Sequence, residues 1–224
     1  MSRKLYSLLV IFLSIINLCF LTKVDAIERD LPLLGKVIFV DPGHGGRDPG
    51  TSYGKLYEKD IVLEISNVLR DKLMEKGAIV YMTREDDSDL SSKWDVKKKR
   101  GDLFRRILMY RKEKAELYLS IHLNYYKDSS LWGAEVLYNP INSENKVFGE
   151  ILMNNFKQEL GSKRVLKTTD LYMYKNTRVP GVLIECGFLS NPNERYLLQT
   201  EKYQNKLSDI ITDSVITYFN NKEN

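Results

Sequence analysis

Strand-length apolar runs that alternate with segments of helical spacing leave this chain few folds to choose from. Residues 36–41 (KVIFVD), 117–122 (LYLSIH) and 181–185 (GVLIE) are nearly continuous in aliphatic and aromatic residues, as in strands covered on both faces. After the first run, Ile61, Val62, Ile65, Val68, Leu69 and Leu73 fall at helical spacing and Gly77 ends the helix, before a second strand at 78–83. Strand, helix and strand make a βαβ unit with a parallel pair. The alternation continues with a polar loop at 84–100, a helix at 103–114 and a sheet-edge strand at 134–138. A helix at 142–160 stopped by Gly161, a short extended piece at 171–174 and a closing helix through Leu207, Ile210, Ile211, Val215 and Tyr218 complete it. The expectation is one layered α/β domain over residues 36–224, with a mixed, mostly parallel central sheet of about six strands flanked by helices. No internal repeat is visible.

Ahead of residue 36 the chain reads as an address. Arg3 and Lys4 precede residues 5–21, apolar apart from Tyr6, Ser7, Ser14 and Asn17, and Val24-Asp25-Ala26 has the compact residues of a cleavage site. This predicts an export signal over residues 1–26, cut after Ala26, or an uncleaved membrane anchor, since the run is near the lower limit for spanning a bilayer. Asn17 and Leu18 are not the small pair that would make Cys19 a lipoprotein cysteine. Residues 27–35 read as an extended lead-in. The expected location is outside the cytoplasmic membrane, with membrane contact only through this segment.

The whole chain has 34 Lys and Arg against 30 Asp and Glu. Removing residues 1–26 takes three basic residues and one acidic, leaving 31 against 29, too mild an excess for a nucleic-acid binder. Cys186 would then be the one cysteine left, so stability must come from a core. Locally the charge is uneven. Residues 93–114 hold ten Lys and Arg against Asp95, Asp102 and Glu113, a net of +7. Such a strip is either a solvated face or a docking surface for an anionic polymer or acidic partner.

The protein has two histidines. His44 lies three residues past the first strand, in Asp-Pro-Gly-His-Gly-Gly, and His122 closes the third, in Ser-Ile-His-Leu-Asn. Ligand sites in open α/β sheets lie beyond the carboxyl ends of the strands, where two imidazoles can converge. Glu58 follows at the start of the first helix, where the dipole favours a negative charge; it is either a simple helix-end residue or a third ligand. A His-His-Glu set suits a hydrolytic zinc ion with one position open to water, although the spacing is not His-Glu-x-x-His. Glu185 ends the last apolar run, a costly place for an ionisable group without a partner or a task. It is either salt-bridged or a general base one water from the metal. Cys186 should point to the opposite face, which disfavours a thiol nucleophile. The glycines of residues 43–54 match no nucleotide motif and suit a tight backbone path around His44.

These residues resemble the zinc-dependent N-acetylmuramoyl-L-alanine amidases of the amidase-3 type. The resemblance is carried, in the family's order, by Val40-Asp41-Pro42-Gly43-His44-Gly45-Gly46, Glu58-Lys59-Asp60, Thr83-Arg84, Ser120-Ile121-His122-Leu123-Asn124 and residues 180–191 (PGVLIECGFLSN). It implies that one Zn2+ ion is held by His44, Glu58 and His122, that Glu185 is the catalytic carboxylate, and that the substrate is the amide between N-acetylmuramic acid and L-alanine in peptidoglycan. Asp41 and Asn124 are candidates for orienting the imidazoles. The compact single catalytic unit looks like the germination-specific type of spore formers, which strips peptides from cortex peptidoglycan so that muramic-δ-lactam can form. That implies a cell-wall or spore-cortex compartment and allows an activating or accessory protein there. Residues 88–100 are more basic than the family's pattern, and Arg111 replaces a small or amide residue. A zinc peptidase acting on stem peptides and an inactive wall-binding relative are the competing functions.

Overall fold

The computed structural model describes residues 12–13 and 31–223. Apart from Phe12 and Leu13, the expected export segment, with its cleavage site and residues 27–30, lies outside the described residues. The lead-in is not extended where it is described. Leu34 and Lys36 donate backbone bonds to Leu31 and Leu33 in a turn, which seats Leu33, fully buried, against the core.

The elements are β1 (Val37–Pro42), β2 (Ser52–Tyr53), β3 (Leu56–Tyr57), α1 (Glu58–Glu75), β4 (Ile79–Met82), α2 (Lys98–Lys112) and β5 (Leu117–Asn124). They continue with β6 (Glu135–Tyr138), α3 (Ser143–Leu160), β7 (Lys167–Thr168), α4 (Tyr172–Lys175), β8 (Gly181–Phe188), α5 (Pro192–Leu197) and α6 (Glu201–Glu223). Six strands form one sheet in the order β4-β1-β5-β8-β6-β7, and β2 pairs with β3 in a separate hairpin. β4, β1, β5 and β8 are parallel neighbours, while β6 is antiparallel to β8 and parallel to β7. The sheet is therefore mixed and mostly parallel, as expected.

Four expectations need correction. The strand near residue 135 is not an edge, because β7 pairs outside it. Residues 171–174 enter the helical turn α4. The loop of residues 84–100 ends early, because α2 begins at Lys98. β5 and β8 run past His122 and Glu185, continuing to pair through an irregularity that sets Asn124 against Phe188.

Period-two alternation sorts the sheet into two faces. Ile38 and Val40, Leu119 and Ile121, and Val182, Ile184 and Cys186 pack with Val62 and Leu69 of α1, Phe148 and Phe156 of α3 and Ile211 and Val215 of α6. At about 1.5–3 kcal/mol for each fully buried large side chain, this face dominates stability. Asn142 caps α3 through its side chain, and Gly161 closes it in the left-handed region at φ 68°. On the other face Phe39, Tyr118 and Leu183 meet Ile107 and Tyr110 of α2 and Met173 of α4. The next residues along those strands on that same face are Asp41, Ser120, His122 and Glu185, so packing gives way to polar groups towards the carboxyl ends of the strands.

Candidate active site

Beyond β1 the backbone turns through left-handed torsions, with φ at 60° for His44, 122° for Gly45 and 56° for Gly46. A non-glycine residue there costs about 1–2 kcal/mol, so the turn is held from outside. Arg84 donates to the carbonyls of Pro42 (3.1 Å) and Gly43 (2.9 Å), and Arg106 to those of Pro42 (2.8 Å) and His44 (2.6 Å). Arg106 is buried and its charge is met by Asp41 at 2.7 Å and Asp102 at 2.9 Å. Thr83 and Ser120 donate their hydroxyls to Asp41. Burial alone would raise the Asp41 carboxyl, but the Arg106 charge and the hydrogen bonds from Thr83 and Arg106 hold it below the usual carboxylate range.

Three of the residues singled out in the sequence converge. Glu58 Oε1 lies 3.2 Å from His44 Nε2 and 3.0 Å from His122 Nδ1, and ligand atoms of the three side chains lie within 4.8 Å of one another. Glu58 is fixed as the first residue of α1 and accepts the backbone N–H groups of Thr51 (2.8 Å) and Leu123 (2.9 Å). Burial would raise its carboxyl, and the bonds to His122 and His44 outweigh that and lower it strongly. His44 Nδ1 is 3.1 Å from Asp48 Oδ2. Burial disfavours charge on that imidazole, and Glu58 and Asp48 together raise its proton affinity nonetheless. The set fits a metal ion: two borderline imidazole nitrogens and a hard carboxylate oxygen, one ring oriented by a carboxylate, with a cavity alongside for a further ligand.

Asp48 therefore performs the task expected of Asp41 or Asn124. Asp41 is occupied by Arg106, and Asn124 donates to Glu135 Oε2 at 3.3 Å. The hydrogen bonds of both are taken elsewhere: Asp41 accepts from Thr83, Arg106 and Ser120, and Asn124 accepts the N–H of Tyr125 while donating to Glu135.

Glu185 stands beside this cluster, since the parallel register sets His122 opposite Glu185 and the antiparallel one sets Glu135 opposite it. Its Oε2 is buried without a hydrogen-bond partner. Burial, followed by the charges of Glu58 and Glu135, pushes its carboxyl up to about 8, where it can take or give a proton near neutral pH. Glu135, itself buried and paired with Lys167, was not singled out in the sequence. Cys186 faces the core, and burial raises its thiol far above the thiolate range, so it offers no nucleophile. A cavity of about 370 Å³ runs from His44 and His122 to Glu185, walled by Leu103, Leu171, Tyr172 and Met173.

Residues 38–217 match the Amidase_3 family, N-acetylmuramoyl-L-alanine amidase. The chain belongs to this family. It is 39% identical to the germination-specific N-acetylmuramoyl-L-alanine amidase of Bacillus subtilis (strain 168), over 98% of each chain. The structure resembles that of the CwlD amidase from Clostridioides difficile, solved in complex with the GerS lipoprotein, with a TM-score of 0.79, 35% identity and coverage of 83% of this chain and 99% of that one. The N-acetylmuramoyl-L-alanine amidase of Clostridium difficile 630 gives a TM-score of 0.74 at 29% identity, over 84% of this chain and 98% of that one. Both core clusters of the described residues lie within residues 33–219, and the two solved chains consist almost wholly of the span that they share with this one. Among the described residues no helix is long and apolar enough to cross a membrane.

Gly43 leaves the room that the His122 ring occupies. A Cβ on Gly43 would lie 2.3 Å from His122 Cε1 and 2.6 Å from both ring nitrogens. Gly43→Ala must displace the imidazole, which is the side chain to be kept in place. The expected outcome is a fall in kcat/KM of at least about ten-fold, with metal content reduced and the circular dichroism unchanged. A fully active, metal-replete variant would show that His122 need not occupy this position.

Asp48 had a weak sequence signal, an acid four residues after a candidate ligand. Arg106 had none: it is one of ten basic residues in residues 93–114, and only the packing of α2 distinguishes it.

Proposed function

We propose that this amidase holds a single zinc ion on His44, Glu58 and His122, with Glu185 as the catalytic carboxylate, and that it trims spore-cortex peptidoglycan after export. The observation that carries the reading is the convergence of two imidazoles and a carboxylate within 4.8 Å, beside a buried carboxyl with one unpartnered oxygen. Zinc bound there would supply Lewis acidity towards the scissile carbonyl and towards the attacking water.

The chain's own groups supply the rest. Asp48 holds His44 with Nε2 presented to the cluster, and the backbone bonds from Thr51 and Leu123 keep Glu58 from swinging away. Glu185 takes the proton of the attacking water and delivers it to the departing nitrogen of L-alanine, so one carboxyl serves both halves of the hydrolysis. Leu103, Leu171 and Met173 line the apolar side of the cavity in which that exchange would take place.

The cortex assignment, with muramic-δ-lactam as the eventual product of the stripped muramic acid, is supported by the near full-length similarity to the germination-specific relative. Residues 1–26 act as an export signal or anchor in this reading, which places the domain in the wall or cortex compartment. The lipoprotein bound to the similar C. difficile amidase supports an accessory protein here too, one that tightens an open three-ligand metal site through binding linkage.

The test is digestion of purified peptidoglycan by zinc-loaded residues 27–224, with products read by mass spectrometry. Free stem peptides beginning at L-alanine, with intact glycan strands, are expected, and in greater yield from cortex than from vegetative wall. Peptides cut at internal bonds would overturn the assignment of substrate.

A further inference from the structure

The basic strip seen in the sequence is not absorbed by the active site, and the structure gives it a second character. On the outer side of α2 and the turn before it, Lys97, Arg100, Phe104, Leu108 and Arg111 are all exposed. Their spacing of three and four residues lines them along one face of the helix. Ahead of them Trp94 is 80% exposed and Val96 99%. Phe104 and Leu108, at 48% and 43%, continue the apolar line, while the buried Ile107 and Tyr110 on the other side already supply what this helix gives to the core. Four large apolar groups in water on α2 and the turn before it are not explained by packing.

The charges on this face are unbalanced. Asp95 is bound by Arg105 at 2.6 Å, Glu113 by Lys112 at 3.2 Å, and Asp102 lies inward against Arg106. Lys93, Lys97, Arg100 and Arg111 remain directed at solvent or at aromatic rings and carbonyls: Lys93 Nζ lies 4.9 Å from the Trp94 ring, Arg100 lies 5.1 Å from the Tyr172 ring, and Arg111 donates to the carbonyl of Asn176. Apolar and cationic side chains thus alternate along the patch: Trp94 and Val96, then Lys97 and Arg100, then Phe104 and Leu108, then Arg111.

We propose that this face of α2, with Trp94 and Val96 at its tip, is a docking surface for an anionic phospholipid membrane. An acidic polymer would be held by the cations alone and would leave Trp94 and Val96 in water. A bilayer matches both features, taking tryptophan and aliphatic side chains into the headgroup boundary while its phosphates meet the lysines and arginines. The proposal rests on export, which delivers the domain to the outer side of a membrane. α2 also supplies Leu103 and Arg106 to the wall of the catalytic cavity, so docking through its outer face would hold that cavity at a set height above the lipid.

Trp94 and Trp132 are the two tryptophans of the chain, so Trp132→Phe makes emission a report on Trp94 alone. Residues 27–224 carrying that change, mixed with phosphatidylcholine vesicles containing about 30% phosphatidylglycerol in about 0.1 M NaCl, should show a blue-shifted emission. They should also partition at least about ten-fold more strongly than onto phosphatidylcholine alone. Lys93→Glu with Lys97→Glu should lower that partition at least about ten-fold, as should Trp94→Ser with Val96→Ser in sedimentation. Hydrolysis of soluble muropeptides should be unchanged in both pairs, which separates a failure here from a failure of the amidase reading. Equal binding to both vesicles, no emission shift, or full binding by either pair would overturn the proposal. So would retention by soluble poly-glutamate but not by vesicles, which would assign the strip to an acidic protein.

Discussion

Glu185→Gln is expected to lose about 10²–10⁴-fold in kcat, to bind zinc as the parent does, and to be the more stable protein at alkaline pH when metal-free. Glutamine keeps the shape of the side chain but cannot accept the proton of the attacking water. The three side chains proposed to hold the metal are untouched, so metal content measured after gel filtration should not change. Activity within a few-fold of the parent would remove Glu185 from the mechanism. The stability effect follows from the same carboxyl. Its ordinary value is 4.5, and burial together with the charges of Glu58 and Glu135 raises it to about 8 in the folded domain.

Between those values the folded chain holds a proton that the unfolded chain has lost. Unfolding then releases a proton, and stability falls as pH rises through the window, by at most about 1.4 kcal/mol per unit. Glutamine has nothing to ionise. The metal-free variant should therefore melt at nearly the parent's temperature at pH 5 and several degrees above it at pH 8.5, in scans with a chelator present. Zinc should shrink the difference, because a nearby dication lowers the proton affinity of Glu185. A difference in melting temperature that is the same at both pH values would show that the Glu185 proton is not linked to folding.

His122→Ala and Glu58→Ala should both abolish tight metal binding and reduce activity by at least about 10³-fold, but they should differ in stability. His122 contributes an imidazole whose described polar contact is Glu58, and its loss leaves the metal-free melting temperature close to the parent's. Glu58 also accepts the N–H groups of Thr51 and Leu123. Removing it strands two backbone donors, at about 1–3 kcal/mol each, or about 4–24 °C in melting temperature for a domain of this size. The acid limb distinguishes them further. The Glu58 carboxyl is held below its ordinary value of 4.5, so its contribution is present above that pH and is lost as pH falls below it. The parent should lose stability on acidification below pH 4.5 more steeply than Glu58→Ala. A metal-free Glu58→Ala domain as stable as His122→Ala would mean that the residue is a ligand and nothing more.

How the chain divides between local and tertiary information is visible in these residues. The apolar runs, their period of two and the helical spacing between them are properties of neighbours a few residues apart. They were enough to predict the mixed sheet, to bring His44 and His122 towards one end of it, and to separate Glu185 from Cys186 by face. The residues offered Glu58 as a third ligand beside the two histidines, the family's motifs implied the same set, and the structure brings His44, Glu58 and His122 together. Pairing between distant segments was not legible in this way. Short-range periodicity does not state that β7 pairs outside β6, which turned an expected edge strand into an interior one. Nor does it state that β6 runs antiparallel to β8 and sets Glu135 against Glu185. Asp41 illustrates the physical reason. Its position beside His44 suggested an imidazole partner, but a carboxylate's partner is whichever cation the fold buries against it, and here that is Arg106, sixty-five residues away on α2. Local pattern determined which face each side chain takes, while the partners it meets there were decided by the packing of the helices and the order of the strands.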